Sequence, residues 1–550
     1  MKNSDFVFLP LGGSGEIGMN MNLYGVGRPN ARKWLMVDCG ISFAGLDTPG
    51  IDVIMPDPGY ARELGDNLLG LLITHGHEDH IGSVAHIAPM LDVPVYATPF
   101  TAELIRSKIE EKDVDVDLRV IETGARFEIG PFDLEYIMLT HSIPEPHAIV
   151  FRTQNSTTLH TGDWKLDETP SLGPPPDIPA LKRIGEEGID CIVCDSTNVF
   201  SPGKSGSEDS VEKNLTKIIG DLPNRVFVAT FASNLGRVVS VCRAAAAADR
   251  SVCLLGRSML RIVAAARAVD LLPEGLRFVD PQDAGYLPKD KILYLCTGSQ
   301  GEPRAALSRI ARDDHPEIAI SEGDTVMFSS KIIPGNEREI YDLQNGLVDL
   351  GATIITEKDA PIHVSGHPNQ GELELMYQWV KPRMAIPVHG EARHLEFHAE
   401  FARNQGVETT LAPRNGDMIR IDSAGLEVID EVPVGTLLLD GRILVPDGAG
   451  SVRERRKLGW AGICAISVAI DGKGNVAGDI EVRCVGAPLI DGEPLDEFIA
   501  DAVAEALEVL PPSRRKDEAS VDAACIRAAR QTAMEVWGKK PVVTVATIWV

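Results

Sequence analysis

The sequence predicts an α/β protein in three parts: an αββα sandwich, a doubly wound α/β domain inserted into it, and a small C-terminal α/β domain. Three observations carry this. Up to about residue 195, apolar strand-like runs joined by mostly short connections end repeatedly in His or Asp. Between about residues 205 and 360, strand-like runs alternate with helical ones, the pattern of a parallel sheet covered on both faces. A charged run, Arg453-Glu454-Arg455-Arg456-Lys457, then precedes a last segment with strands and helices of its own. The expected boundaries are 1–204 and 363–440 for the two parts of the sandwich and 205–362 for the insert. Residues 441–459 are expected as an exposed linker and 460–550 as the C-terminal domain, whose default role is association.

Bulk properties narrow the function classes. The 550 residues are 44% hydrophobic and 24% charged, an ordinary globular balance with ample core. No apolar run reaches membrane-span length, and Phe6-Val7-Phe8-Leu9-Pro10-Leu11 is too short for a signal-peptide core, so a cytoplasmic protein is expected. The nine cysteines are scattered; the close pair Cys191 and Cys194 lies in an apolar run, and buried reduced thiols are expected. A formal charge of −27 argues against a broad basic surface gripping nucleic acid nonspecifically. A local positive cleft, above all one holding metal ions, remains compatible with it.

The first segment contains Gly13-Ser14-Gly15-Glu16-Ile17-Gly18 after an apolar strand, with Asp38 twenty residues past Gly18. That is the spacing of a dinucleotide fingerprint, which requires a helix after the glycines. Here the interval holds Gly25, Gly27 and Pro29, and Met21-Asn22-Leu23-Tyr24 reads as a strand. A strand-turn-strand hairpin offers no helix N-terminus to a pyrophosphate, so no nucleotide cofactor is expected.

The chemistry concentrates after the apolar run 68–73, in Thr74-His75-Gly76-His77-Glu78-Asp79-His80. On a loop leaving a buried strand, His75 and His77 point one way while Asp79 and His80 face a second point. Imidazole and carboxylate suit divalent zinc or manganese, and two adjacent centres need such paired sets. Other strand-like runs deliver Asp38, His141, Asp163, Asp195 and His389 to their C-terminal ends. A single such residue is ordinary turn chemistry, but six tips are more than that, because strand ends of a common sheet can converge on one edge.

In the insert, strand tips carry Thr230 with Ser233-Asn234, then Thr297-Gly298-Ser299-Gln300-Gly301-Glu302, then Ser329-Ser330. Ligands of open parallel sheets bind beyond the carboxyl ends of the strands, where helix N-termini favour anions. A phosphate-bearing substrate is therefore expected. His363-Val364-Ser365-Gly366-His367 follows, offering imidazole, hydroxyl and exposed backbone N–H groups together.

His75-x-His77-x-Asp79-His80, His141, Asp163 and Asp38 resemble the metallo-β-lactamase fold. Asp195, His363 and His389, flanking an inserted α/β domain, resemble its β-CASP subgroup of nucleic-acid-processing enzymes. The full length is similar to the bacterial ribonuclease J family, through residues 11–20, Thr161-Gly162-Asp163-Trp164-Lys165, Asp195-Ser196-Thr197-Asn198, His363 to His367 and His389-Gly390-Glu391. The resemblance implies one metal on His75, His77 and His141, a second on Asp79, His80 and His389, and Asp163 bridging them. Asp38 would orient ligands from behind. His363, supported by Asp195, would act as proton donor. Ser233, Asn234, His363, Val364, Ser365, Gly366 and His367 would receive a 5′-monophosphate. The extra His147 is read as a surface residue.

The implied activity is 5′-to-3′ exonuclease and endonuclease cleavage of single-stranded RNA in maturation and decay, with a water activated by two metals attacking phosphorus. Zinc is the expected metal, with manganese the alternative. A homodimer or homotetramer held partly by 460–550 is expected. Two other readings are a metallo-hydrolase of a small thioester or lactone, and a non-catalytic RNA-binding scaffold. The first leaves the inserted domain without purpose, and the second fits poorly with seven intact ligands.

Overall fold

The computed structural model describes residues 5–45 and 47–550. The chain divides into two compact units, one running to Ser42 and over Met55–Thr436, the other of Phe43–Ile54 and Leu437–Val550.

The first unit contains the predicted sandwich. Its eight-stranded sheet runs in the order Gly425–Glu431, Asp417–Asp422, Asp5–Gly12, Met21–Gly27, Lys33–Val37, Leu68–Leu72, Val95–Ala97, Leu118–Val120. The seven-stranded sheet runs Arg126–Ile129, Phe132–Met138, His147–Arg152, Thr157–His160, Cys191–Asp195, Met384–Val388, Thr409–Thr410. Alternating side chains explain why the two face each other: Phe6, Phe8, Tyr24, Leu35 and Val37 meet Phe132, Leu134, Ile149, Phe151 and Val193 in one dry layer. Tyr24 stacks on Phe151 with ring centroids 4.2 Å apart. The outward face of the second sheet carries Val150, Leu159 and Ile192, covered by helices Ile178–Glu187 and Gln370–Val380 through Leu181, Ile184, Leu373 and Met376. Helices Val84–Leu91 and Pro99–Lys112 belong to the first sheet's side, completing the αββα order.

Within this unit the insert is a five-stranded, wholly parallel sheet in the order Ser251–Leu255, Ile292–Cys296, Val226–Ala229, Thr325–Phe328, Thr353–Ile355. Helices such as Leu235–Ala247, Arg257–Ala268 and Glu337–Asp349 separate the strands, as the alternation predicts. The glycine stretch that mimics a nucleotide fingerprint is a hairpin: Asp5–Gly12 pairs antiparallel with Met21–Gly27, Phe8 opposite Tyr24.

In the second unit, Ile463–Ile470 lies between Glu481–Val485 and Val542–Trp549. Its buried Cys464, Ile466, Val468 and Ile470 pack under helices Leu495–Val509 and Glu518–Val536. Residues 441–459 depart from the expected exposed linker. They include strand Ile443–Pro446, paired with Thr436–Asp440, and most of helix Gly450–Ala461. The helix is charged yet anchored, with Val452 buried against Ile51 and Leu438 and Arg455 paired to Asp440 at 2.6 Å. Among the described residues no helix is long and apolar enough to cross a membrane.

Candidate metal centre

The strands ending at or before Asp38, the 75–80 cluster, His141, Asp163, Asp195 and His389 bring these residues to one edge, and the backbone there is shaped around the donors. Asp38 and His389 both adopt left-handed backbone, φ +62° and +54°, a conformation that non-glycine residues adopt at a cost of about 1–3 kcal/mol. Gly40 permits the approach of the cluster loop, since a Cβ there would stand 1.7 Å from the Asp79 carbonyl oxygen.

Three imidazoles form the first donor set. His77 Nδ1 lies 3.1 Å from His75 Nε2 and 3.0 Å from His141 Nε2. The tautomers follow from the partners behind. His75 Nδ1 donates to Thr74 Oγ1 at 3.0 Å, and that hydroxyl donates to Asp38. His141 Nδ1 donates to the Gly366 carbonyl at 2.6 Å. Both Nε2 atoms therefore present bare lone pairs to the third nitrogen. One proton can bridge one pair of the three, whereas one cation satisfies all. Nitrogens ~2.0–2.1 Å from a tetrahedral ion stand roughly 3.3 Å apart, close to the observed spacing. Burial and mutual repulsion hold His75 and His141 well below the usual imidazole range, and burial takes His77 to about 4. Neutral imidazole is the form that binds metal.

Asp79, His80, Asp163 and His389 form a second set. His80 Nε2 lies 3.1 Å from Asp163 Oδ2, and His389 Nε2 lies 3.1 Å from Asp79 Oδ2. His80 Nδ1 donates to Asp38 Oδ2 at 2.7 Å, which turns its Nε2 inward, where Asn20 Nδ2 also lies 3.1 Å from it. Burial opposes a charge on His80, but Asp163, Asp79 and Asp38 outweigh it and raise its pKa. Asp163 Oδ2 also lies 3.9 Å from both His75 Nε2 and His141 Nε2, so one carboxylate oxygen stands between the two sets. Two carboxylates and two imidazoles turned toward one point are a donor set suited to a divalent ion, whose charge would take the place of the imidazole protons.

Next to these sits a dyad that the sequence reading paired differently. Asp195 was expected to support His363; instead it accepts from His367 Nδ1 at 2.8 Å and from the backbone N–H and hydroxyl of Thr197. Burial works against charging His367, but Asp195 outweighs it and raises the pKa. His363 lies among Arg237, Glu208 and Lys165, and burial with Arg237 lowers its pKa to about 3. A neutral His363 is a poor proton donor, and the acidic partner expected beside it stands beside His367 instead. The other pocket candidates are close by. Ser365 Oγ accepts from Asn198 Nδ2 at 2.6 Å, and Asn234 caps helix Leu235–Ala247 and shares a cavity lining with His141, Ser142 and Lys165. Ser233 precedes that cap half-buried, and Val364 is half-buried against the Gly206 turn. Gly366 admits no side chain, because a Cβ would stand 2.8 Å from His141 Cε1.

His147 is also corrected: it is buried rather than exposed, with Nδ1 donating to the Glu145 carbonyl at 2.8 Å. Thr74, Asn20 and Thr197 were not singled out in the sequence, since hydroxyls and amides beside ligands carry no spacing signal of their own. The glycine stretch at 13–18 also has a structural task here: the His389 N–H donates to the Gly13 carbonyl at 2.7 Å, and Ser14–Gly15 pairs with Gly390–Glu391.

The sandwich and its donor sets define a metal-dependent hydrolase of the metallo-β-lactamase superfamily, whose family model matches residues 22–228. Further models match the β-CASP domain of ribonuclease J at 223–347, a Zn-dependent metallo-hydrolase RNA specificity domain at 360–413, and the ribonuclease J C-terminal domain at 450–550. A ribonuclease J of Sinorhizobium meliloti is 48% identical over 549 residues, covering 99% of this chain and 97% of that one. Another, from Mycolicibacterium smegmatis, is 36% identical and covers 98% and 96%. A crystal structure of a protein of unknown function from Enterococcus faecalis V583 matches with TM-score 0.54 over 76% of this chain and all of that one; at 15% identity the likeness is of fold alone. The chain belongs to the ribonuclease J family, and it is a hydrolytic, metal-dependent ribonuclease.

Proposed function

We propose that this ribonuclease degrades 5′-monophosphorylated single-stranded RNA from its 5′ end and also cuts internally, in a cytoplasmic setting of RNA maturation and decay. The observation that supports it most is the bond from His141 to the Gly366 carbonyl, which ties the Ser365–His367 loop to the first donor set. A phosphate-receiving loop fixed to the metal ligands sets a fixed distance from the RNA 5′ end to the reacting phosphodiester.

In this reading His75, His77 and His141 hold one ion, Asp79, His80 and His389 hold the other, and Asp163 serves both. Divalent ions held there, zinc first and manganese second, would supply Lewis acidity toward the phosphoryl oxygens and toward attacking water. Asp38 orients His80 directly and His75 through Thr74. His367, held by Asp195, delivers a proton to the leaving oxygen. Ser233, Asn234, Ser365 and Gly366 hold the terminal phosphate, with His363 Nδ1, buried and without a hydrogen-bond partner among the described residues, as a further contact. The division at 1–204, 205–362, 363–440 and 460–550 follows this assignment, the last segment serving a homodimer or homotetramer.

The test uses one RNA labelled at its 3′ end, bearing a 5′-monophosphate or a 5′-triphosphate, with zinc or manganese. Faster metal-dependent loss of the monophosphate form, with mononucleotide products, is expected. Cuts independent of the 5′ end would leave only the endonuclease half standing. His80→Ala is expected to abolish cleavage while RNA binding survives; retained cleavage would sink the ligand assignment.

A further inference from the structure

The second unit contains a feature that RNA cleavage does not use. Cys464 and Cys484 occupy directly opposed positions on antiparallel strands Ile463–Ile470 and Glu481–Val485. Both are free thiols on the face that packs against the helices, Cys464 buried and Cys484 half-buried. Opposed residues in an antiparallel pair alternate between those that exchange backbone hydrogen bonds and those that do not. The Cys484 N–H donates to Asp496 Oδ1 at 3.0 Å, at the start of helix Leu495–Val509, so it points away from its strand partner. Cys464 and Cys484 are therefore a non-hydrogen-bonded pair, whose Cα atoms stand roughly 4.5 Å apart with side chains close. Disulfides form over about 4.4–6.8 Å between Cα atoms, so this register falls within bonding reach without strand movement.

The other seven cysteines lack this arrangement. Cys191 and Cys194 lie three apart on one strand and face opposite sides of its sheet. Cys253 and Cys296 sit on neighbouring parallel strands but are offset by two positions, Cys253 opposing Tyr294 and Cys296 opposing Leu255. Cys39 is bonded to Ser83, and Cys242 and Cys525 lie on helices.

We propose that Cys464 and Cys484 form a reversible oxidation site, closing to an intrachain disulfide that ties the edge strand Glu481–Val485 to the central strand of the C-terminal sheet. The two thiols also interact: hydrogen bonding from Cys484 holds the Cys464 thiol below its ordinary range, and the same contact raises Cys484. The pair thus releases one proton more readily than an isolated buried thiol, and thiolate is the reactive form. With a peroxide as oxidant, one thiolate attacks a peroxide oxygen; the O–O bond breaks, and the departing hydroxide leaves as water with the thiol's proton. The facing sulfur then displaces the hydroxyl of the sulfenic acid, forming S–S and releasing a second water with its own proton. Two thiols and one hydrogen peroxide give one disulfide and two waters. A thiol reductant reverses the step by exchange.

The experiment treats reduced, full-length protein with hydrogen peroxide, blocks remaining thiols with N-ethylmaleimide, and maps peptides by mass spectrometry. The expected product is a Cys464 peptide joined to a Cys484 peptide, lighter than the sum by two hydrogens and restored by dithiothreitol. It should form equally at high dilution and migrate as a single chain without reductant. Cys484→Ser and Cys464→Ser should each eliminate it, with metal-dependent RNA cleavage and thermal melting reporting that each variant is folded. Both thiols recovered alkylated, a disulfide between chains or through another cysteine, or sulfinic acid at either position without linkage would each overturn the proposal.

Discussion

Asp38 shows how much of the proposed metal site is held by groups outside its two donor sets. Its carboxylate accepts from Thr74 N–H at 2.8 Å and from His80 Nδ1 at 2.7 Å, fixing which nitrogen of His80 faces the centre. Asp38→Ala is expected to weaken metal binding by roughly 10–100-fold, read by metal titration, while the sandwich stays folded. Gly366→Ala tests the same logic from the substrate side. Its Cβ would force back the His141 ring, so loss of the ion at the first donor set and of cleavage is expected, measured together as metal content and turnover. Unchanged metal content in that variant would contradict the coupling of loop and ligands. At this scale the sequence was informative where residue type alone limits the chemistry. Three histidines and an aspartate within six positions have few uses besides metal. It was misleading where direction matters: His363 and His367 bracket the same loop, and only the fold shows that His367 turns to Asp195 while His363 turns to Arg237 and Glu208.

Among the elements, the insert is joined to the sandwich through a buried ionic network. Arg237, on helix Leu235–Ala247, makes a two-pronged pair with Glu208 at 2.9 and 3.0 Å and donates to Ser329 and the Ile362 carbonyl. Asp167 in turn accepts from the Glu208 N–H at 2.8 Å. Burial opposes the charge on Glu208, but Arg237 outweighs it and brings the carboxyl to about 2. A carboxylate whose folded pKa is depressed contributes stability that is fully present above its unfolded pKa of about 4.3 and lost as pH falls toward 2. Arg237→Leu, which strands the buried carboxylate, is expected to cost about 3–5 kcal/mol at pH 7. Glu208→Gln should also melt below the parent at pH 7, and the gap should narrow as the pH is lowered from about 4.5 toward 2. A pH-independent gap would remove the ionic explanation. The elements themselves were largely legible, because buried parallel strands such as Ser251–Leu255 and Thr325–Phe328 are short continuous apolar runs. Helix Gly450–Ala461 was not, since it is largely exposed and buries only Val452 and Ala461, and so carries little apolar periodicity.

For the whole molecule, the account joins a metal centre in the sandwich, a phosphate-facing insert and a C-terminal unit proposed for association. Ending the chain near residue 450 is expected to lower the sedimentation coefficient to that of a single chain, and an unchanged oligomer would refute that role. The domain order was legible because composition changes texture along the chain. The closing of the glycine stretch at 13–18 onto His389 was not, because contacts between residues nearly 400 positions apart leave no local pattern. The central claim is that seven side chains hold two ions that together cleave RNA. The most direct measurement is metal content per chain by elemental mass spectrometry, taken on the same fully active preparation whose RNA cleavage is followed during chelation and refilling. The account predicts two divalent ions per chain, activity lost with their removal, and activity restored as both sites refill. Full cleavage by protein holding one ion per chain or fewer would contradict it.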